Sequence, residues 1–205
     1  MDVSFLTSAF RAEQFPAPDR PEIAFVGRSN VGKSSLINTL VNRRALAQIS
    51  SKPGKTRSIN FYSIGKDVYF ADLPGYGYAS VPLEMKSKWK SLIENYLKNR
   101  SSLKAVVVIL DVRRGLQEKD IDLIMWLKAA QIKTIIVITK IDKLSKSETA
   151  RRLSLISNSL ASKNINQFIT FSSKTGQGKE HLWSIIYEIL HGEKGKAENK
   201  GHIDK

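Results

Sequence analysis

The chain predicts an α/β fold in which a mainly parallel sheet carries helices on both faces. Three observations lead there. Five or six apolar runs of strand length alternate with stretches of helical periodicity. One of those runs leads directly into Gly27-Arg28-Ser29-Asn30-Val31-Gly32-Lys33-Ser34, which matches G-x-x-x-x-G-K-[ST]. The other polar signatures fall at the carboxyl ends of strand-like runs, where open α/β sheets place their ligands.

Taken in order, 22–26 is apolar enough for a buried parallel strand, and 33–43 is a helix with Leu36, Ile37, Leu40 and Val41 at helical spacing. Residues 59–64 and 67–71 read as strands joined through Gly65-Lys66 as a hairpin. Further strands are expected at 103–110, 133–139 and 166–171, making six. Helices are expected near 84–99, 117–130, 147–162 and 178–191. A chain of 205 residues supports one domain over 1–191, burying roughly 70% of its unfolded surface. The tail 192–205 is polar and lysine-rich, and is expected to be disordered.

The glycine-loop pattern carries the most chemistry. Between a strand and a helix, its backbone N–H groups and the positive helix end would cradle phosphate oxygens. Lys33 would reach the β- and γ-phosphates, and the Ser34 hydroxyl would coordinate Mg²⁺. Glycine at 27 and 32 would allow close backbone approach. In Asp72-Leu73-Pro74-Gly75, the aspartate ends a strand and would hold Mg²⁺ through water, while Gly75 would offer its N–H to a γ-phosphate.

Thr139-Lys140-Ile141-Asp142 matches [NT]-K-x-D and reads guanine, since Asp142 would accept from both N1–H and the exocyclic amine. Lys140 would lie over the base or brace the phosphate loop. Ser172-Ser173-Lys174 follows the strand that ends at Phe171 and would place backbone N–H groups against the guanine oxygen, with Phe171, Ser172 and Ser173 counted in the base site. Gly54-Lys55-Thr56-Arg57-Ser58 is the candidate switch, with Thr56 the second hydroxyl for Mg²⁺; Thr39 is excluded because it sits inside a helix.

The runs GRSNVGKSS, PGKTRSINFY, DLPGYGYA and TKID, in that order, resemble the EngB (YihA/YsxC) family of small bacterial ribosome-assembly GTPases, in the translation-factor-like class. The resemblance spans nearly the whole chain, residues 5–190. It implies a P-loop NTPase of the Ras-like G-domain type, binding GTP or GDP with Mg²⁺. It also implies a role in maturing the large ribosomal subunit, with a link to cell division and septation. Related GTPases with the same N-V-G-K-S pattern use K⁺, so the Asn30 side-chain oxygen would hold a monovalent cation, or else would simply hydrogen-bond the loop. In Ras-like enzymes a glutamine directly after D-x-x-G orients the attacking water. Here that position is Tyr76, whose phenol is a poor base at neutral pH, so slow intrinsic hydrolysis is expected.

The net charge of +14 points to a polyanion partner. Basic residues gather at Arg43-Arg44, at Lys52, Lys55 and Arg57, at Lys86, Lys88 and Lys90 around Trp89, and at Arg113-Arg114. Ribosomal RNA, in a large-subunit precursor, is the polyanion favoured. No sequence-specific DNA-reading module competes for the chain. No run approaches a membrane span, the start lacks a basic signal region, and there are no cysteines, which suits a cytoplasmic monomer. Two other functions compete: a nucleotide-dependent scaffold at the division septum, and a P-loop phosphotransferase. Thr139-Lys140-Ile141-Asp142 and the lack of an arginine-rich lid weigh against the second.

Overall fold

The computed structural model describes residues 2–43, 46–47, 58–76 and 83–192, with backbone alone at 83–90. Its seven strands are β1 (Val3–Ala9), β2 (Glu22–Gly27), β3 (Ile59–Ile64), β4 (Val68–Asp72), β5 (Leu103–Asp111), β6 (Thr134–Thr139) and β7 (Ile169–Thr170). Five helices accompany them: α1 (Lys33–Leu40), α2 (Leu83–Asn99), α3 (Glu118–Ala129), α4 (Lys146–Ala161) and α5 (Lys179–His191). The strands form one sheet in the order β1-β3-β4-β2-β5-β6-β7. Pairing is parallel from β4 through β7, and β3 runs antiparallel to both of its neighbours.

Alternation along the strands sends side chains to two separate cores. Ile23, Phe25, Val107 and Ile109 pack under α1 and α5 with Leu36, Ile37, Leu182 and Ile186. Ala24, Val26, Val106 and Val108 face α2, α3 and α4 with Tyr96, Ile124, Leu127 and Ile156. Because β2 and β5 are buried on both faces, their residues read as continuous apolar runs.

The sheet has seven strands rather than six. The additional strand, β1, is an edge strand with a register shift between Phe5 and Thr7. The shift swaps the inward set midway, and Phe5 and Leu6 stay 53% and 40% exposed, so no clean alternation survives. At the opposite edge the expected strand 166–171 contracts to Ile169–Thr170, because only those residues pair with β6. The hairpin through Gly65 is present, with Ile64 opposite Val68.

One charged residue lies inside the expected apolar strand. Glu22 is fully buried and accepts from the Tyr96 hydroxyl at 2.8 Å, Ser102 Oγ at 2.9 Å and Arg100 Nε at 2.9 Å. A buried carboxylate is tolerable only when paired and bonded in this way. The network lies at the amino end of β2, opposite the end that carries the glycine loop.

Candidate nucleotide site

The carboxyl ends of β2, β4, β5, β6 and β7 bring Gly27, Asp72, Asp111, Thr139 and Ser172 to one edge of the sheet. β2 leaves the sheet into the loop 28–32 and re-enters regular structure as α1. The backbone N–H groups of the first turn of α1 have no intrahelical acceptor and point out of the helix end. Both loop glycines are needed, for different reasons. Gly32 sits at φ 101°, a left-handed conformation that disfavours a side chain. A Cβ on Gly27 would come within 2.8 Å of both the Ile109 carbonyl and Val31 Cγ2, so packing against β5, rather than approach to a ligand, demands glycine there.

Lys33 and Asp72 meet in an ion pair, although 39 residues separate them. Asp72 is 4% exposed. Lys33 therefore has a protein partner, where its sequence position alone pointed it only at ligand. Ser34, one residue on, is half-buried at the same helix end. Among the described residues no cluster of three His, Cys, Asp or Glu side chains could hold a metal alone. One carboxylate and one hydroxyl beside a phosphate cradle fit Mg²⁺, which keeps few protein ligands and takes its other oxygens from phosphates and water.

Gly75 packs against the loop: a Cβ there would lie 3.2 Å from the Gly27 carbonyl and 3.3 Å from Ser29 N. Arg28 and Tyr76 form a parallel bridge that extends the β2–β4 pairing. The Tyr76 hydroxyl donates to Asp120 Oδ1 at 2.7 Å. Burial, followed by the Asp120 carboxylate, raises the phenol pKa well above its usual value. Leu73, Val31 and Phe171 are core residues that hold backbone in place.

On the base side, a cleft of about 760 Å³ runs from Gly32 and Ser35 past Thr139 and Lys140 to Asp142 and Ser173. Arg43, Lys143 and Lys174 add cations to its lining. Thr139 Oγ1 lies 2.6 Å from the Val31 carbonyl and 2.9 Å from that of Leu110, tying β6 to the loop. Lys140 donates to the Asn30 carbonyl and pairs with Asp111 Oδ2 at 3.0 Å. The contact with Asn30 ties Lys140 to the glycine loop, one of the two roles expected for it. Asn30 and Lys140 both have left-handed φ, 61° and 62°; asparagine adopts this conformation readily, whereas for Lys140 it costs about 1–2 kcal/mol.

Asp142 sits in a 3₁₀ turn, Ile141–Lys143. Its Oδ1 accepts from Ser172 Oγ at 2.7 Å, while Oδ2 is buried without a hydrogen bond and has Lys143 Nζ 3.7 Å away. The Ser172 hydrogen bond is the main cause holding the Asp142 carboxyl below its ordinary range. Ser172 thus serves Asp142 with its side chain. Its backbone N–H is already given to the Gln177 carbonyl at 3.0 Å, leaving Ser173 as the expected amide donor.

The sequence reading missed Asp111 and Asp120. Asp111 accepts from Arg113 N and Nε, both at 3.0 Å, and from Nη2 at 2.7 Å. Burial pushes its carboxyl up, but the bonds from Arg113 and Lys140 outweigh that and hold it low. The available signal was an aspartate closing an apolar strand and followed by Arg113-Arg114. Ser58 is described, and its hydroxyl donates to Asn60 Oδ1 at 3.0 Å. Gly54, Lys55, Thr56 and Arg57 lie outside the described residues, as do Arg44, Lys52 and the side chains of Lys86, Lys88, Trp89 and Lys90.

Comparison with known proteins agrees with this geometry. Residues 22–140 match the family model described as "50S ribosome-binding GTPase". A probable GTP-binding protein EngB of Geotalea daltonii is 47% identical over 191 residues, covering 93% of this chain and 92% of that one. A crystal structure of a probable GTP-binding protein engB superposes with TM-score 0.59 at 27% identity, covering 82% of this chain and 98% of the other. Era, in complex with MgGDPNP and nucleotides 1506–1542 of 16S ribosomal RNA, gives TM-score 0.66 at 25% identity over 83% of this chain and 56% of its own. With a Ras-like G-domain fold, a glycine loop at the sheet edge and relatives matched along most of its length, the chain belongs to the EngB family of GTP-binding proteins and is a GTPase.

Proposed function

We propose that the chain is a guanine-nucleotide switch whose GTP form docks on a precursor of the large ribosomal subunit. The observation that carries the guanine part is the buried, unbonded Oδ2 of Asp142 beside the cleft. A carboxylate oxygen stripped of water needs donors, and the N1–H and exocyclic amine of guanine supply two side by side. Adenine offers no such edge. Ser173 contributes its amide to the base oxygen.

The phosphates lie along Gly27–Ser34 in this reading, with Lys33 leaving Asp72 for the β- and γ-oxygens. Ser34 and Asp72, with Thr56 assigned from sequence, would hold Mg²⁺, which would neutralise the developing phosphate charge. Gly54, Lys55, Arg57 and Ser58 are assigned with Thr56 to the switch on sequence, and of these only Ser58 lies among the described residues. Gly75 senses the γ-phosphate from its place against Ser29. Hydrolysis is slow because Tyr76 is engaged with Asp120 and cannot orient water.

The Asn30 side chain is exposed and has no hydrogen-bond partner among the described residues, so its oxygen is open to K⁺. Potassium is then expected to accelerate hydrolysis by the wild type and not by Asn30→Ala. Equal rates in KCl and NaCl at matched ionic strength would retire that part.

The description of the matching family model supports a ribosomal partner, as does the net charge of +14. Among the described residues no helix is long and apolar enough to cross a membrane, in keeping with a cytoplasmic protein. Any link to septation would follow from ribosome supply. The test is capture with protein locked to a non-hydrolysable GTP analogue, followed by sequencing of bound RNA. Enrichment of large-subunit precursor RNA is expected. Recovery of division-site proteins without ribosomal RNA would favour the septal scaffold instead.

A further inference from the structure

The segment between β5 and α3 touches the glycine loop through Arg114. Its backbone is held at both ends: Arg114 N donates to the Asp111 carbonyl at 3.0 Å, and Gln117 Nε2 donates to the Arg114 carbonyl at 2.7 Å. Its guanidinium lies with Nη1 3.5 Å from the Ser29 carbonyl. The neighbouring Arg113 is committed to the Asp111 carboxylate. Arg114 is exposed and has no carboxylate partner among the described residues.

Ser29 is also one of the loop residues beside Gly75: a Cβ on Gly75 would lie 3.3 Å from Ser29 N, next to the Gly27 carbonyl at 3.2 Å. One position in the loop therefore lies beside both the glycine assigned to sense the γ-phosphate and a guanidinium without an anion. The group that would otherwise assist hydrolysis, at position 76, is turned onto Asp120, whose second oxygen is occupied by Gln117 N at 2.9 Å.

We propose that Arg114 is a catalytic residue, an arginine supplied by the chain itself, whose guanidinium moves from the Ser29 carbonyl onto the γ-phosphate oxygens of GTP. In the step it assists, the oxygen of water bonds to the γ-phosphorus as the bond to the β,γ-bridging oxygen breaks. That electron pair remains on the β-phosphate of GDP, and the water protons pass to inorganic phosphate and solvent. The guanidinium stabilises charge that grows on the bridging and γ-oxygens, so its effect is concentrated in the transition state. The proposal rests on the reading of residues 27–34 as the phosphate site.

The test compares wild type, Arg114→Ala and Arg114→Lys in single-turnover GTP hydrolysis, GDP affinity, and trapping of GDP with aluminium fluoride, in KCl and in NaCl. Arg114→Ala is expected to slow hydrolysis by about tenfold or more and to lose the aluminium fluoride complex, while GDP affinity stays within about twofold. Arg114→Lys, a point charge without the planar fork, should recover part of the rate. The fall should be the same in both salts. An unchanged rate with intact trapping would overturn the proposal. So would an equal loss of GDP and GTP affinity at constant turnover, or a fall confined to one salt. If wild-type protein failed to bind GDP, the phosphate-site reading itself would fall, a different result from any of these.

Discussion

A carboxylate oxygen that is buried and unbonded is costly, and Asp142 Oδ2 is the one such side-chain atom among the described residues. Asp142→Asn is expected to weaken GDP binding by about 100-fold and to admit xanthosine diphosphate, whose edge pairs with an amide. Fluorescence competition between the two nucleotides checks this. Ser172→Ala removes the donor that fixes Oδ1 and should cost about tenfold in GDP affinity without altering selectivity. Asp111 adds a dependence on pH. Its folded carboxyl titrates below the ordinary 3.8, so its contribution to stability is fully present above that value and disappears as pH falls through the lower folded value. Acid unfolding of Asp111→Asn should accordingly be shallower than that of wild type. Lys33→Ala should cost stability as well as nucleotide, by about 1–3 kcal/mol, because it strands the buried Asp72. Ser34→Ala should spare the melting temperature and is the cleaner probe of Mg²⁺ dependence.

The elements divide into those that hold the site and those that hold the sheet. At the amino end of β2, Arg100→Ala would leave Glu22 buried with only hydroxyl donors, at a cost of about 3–5 kcal/mol. GDP affinity, measured in the same preparation below its unfolding range, should not change, because the network lies at the opposite end of the strand. Most elements were legible in the sequence, since β2, β5 and β6 are buried on both faces and α1 follows a glycine loop with a known purpose. Glu22 was not legible as a core charge, because its partners Tyr96, Arg100 and Ser102 lie 74 to 80 residues away. The strand β1 was hidden by its register shift and exposed face. At the site, local motifs identified Lys33, Asp72, Lys140 and Asp142. The bonds among them cross the sheet, so the roles of Ser172, Asp111 and Asp120 emerged only from their meeting in space.

At the scale of the molecule, charge and nucleotide state are expected to act together. Exposed Arg43, Arg114, Lys143 and Lys174 belong to a chain of net charge +14, and three of these line the base-side cleft. Docking on a phosphate backbone through such a surface releases counterions, so affinity should fall linearly on a log–log plot against salt. Charge reversal at Lys86, Lys88 and Lys90 should flatten that slope and leave GTP binding unchanged. The central claim is that nucleotide gates this docking, and the direct measurement is co-sedimentation with large-subunit precursor particles at fixed salt. Protein loaded with a non-hydrolysable GTP analogue should bind at least about tenfold more tightly than protein loaded with GDP, a coupling of about 1.4 kcal/mol. Equal binding of the two forms would contradict the account and leave a basic GTPase whose nucleotide does not control its partner.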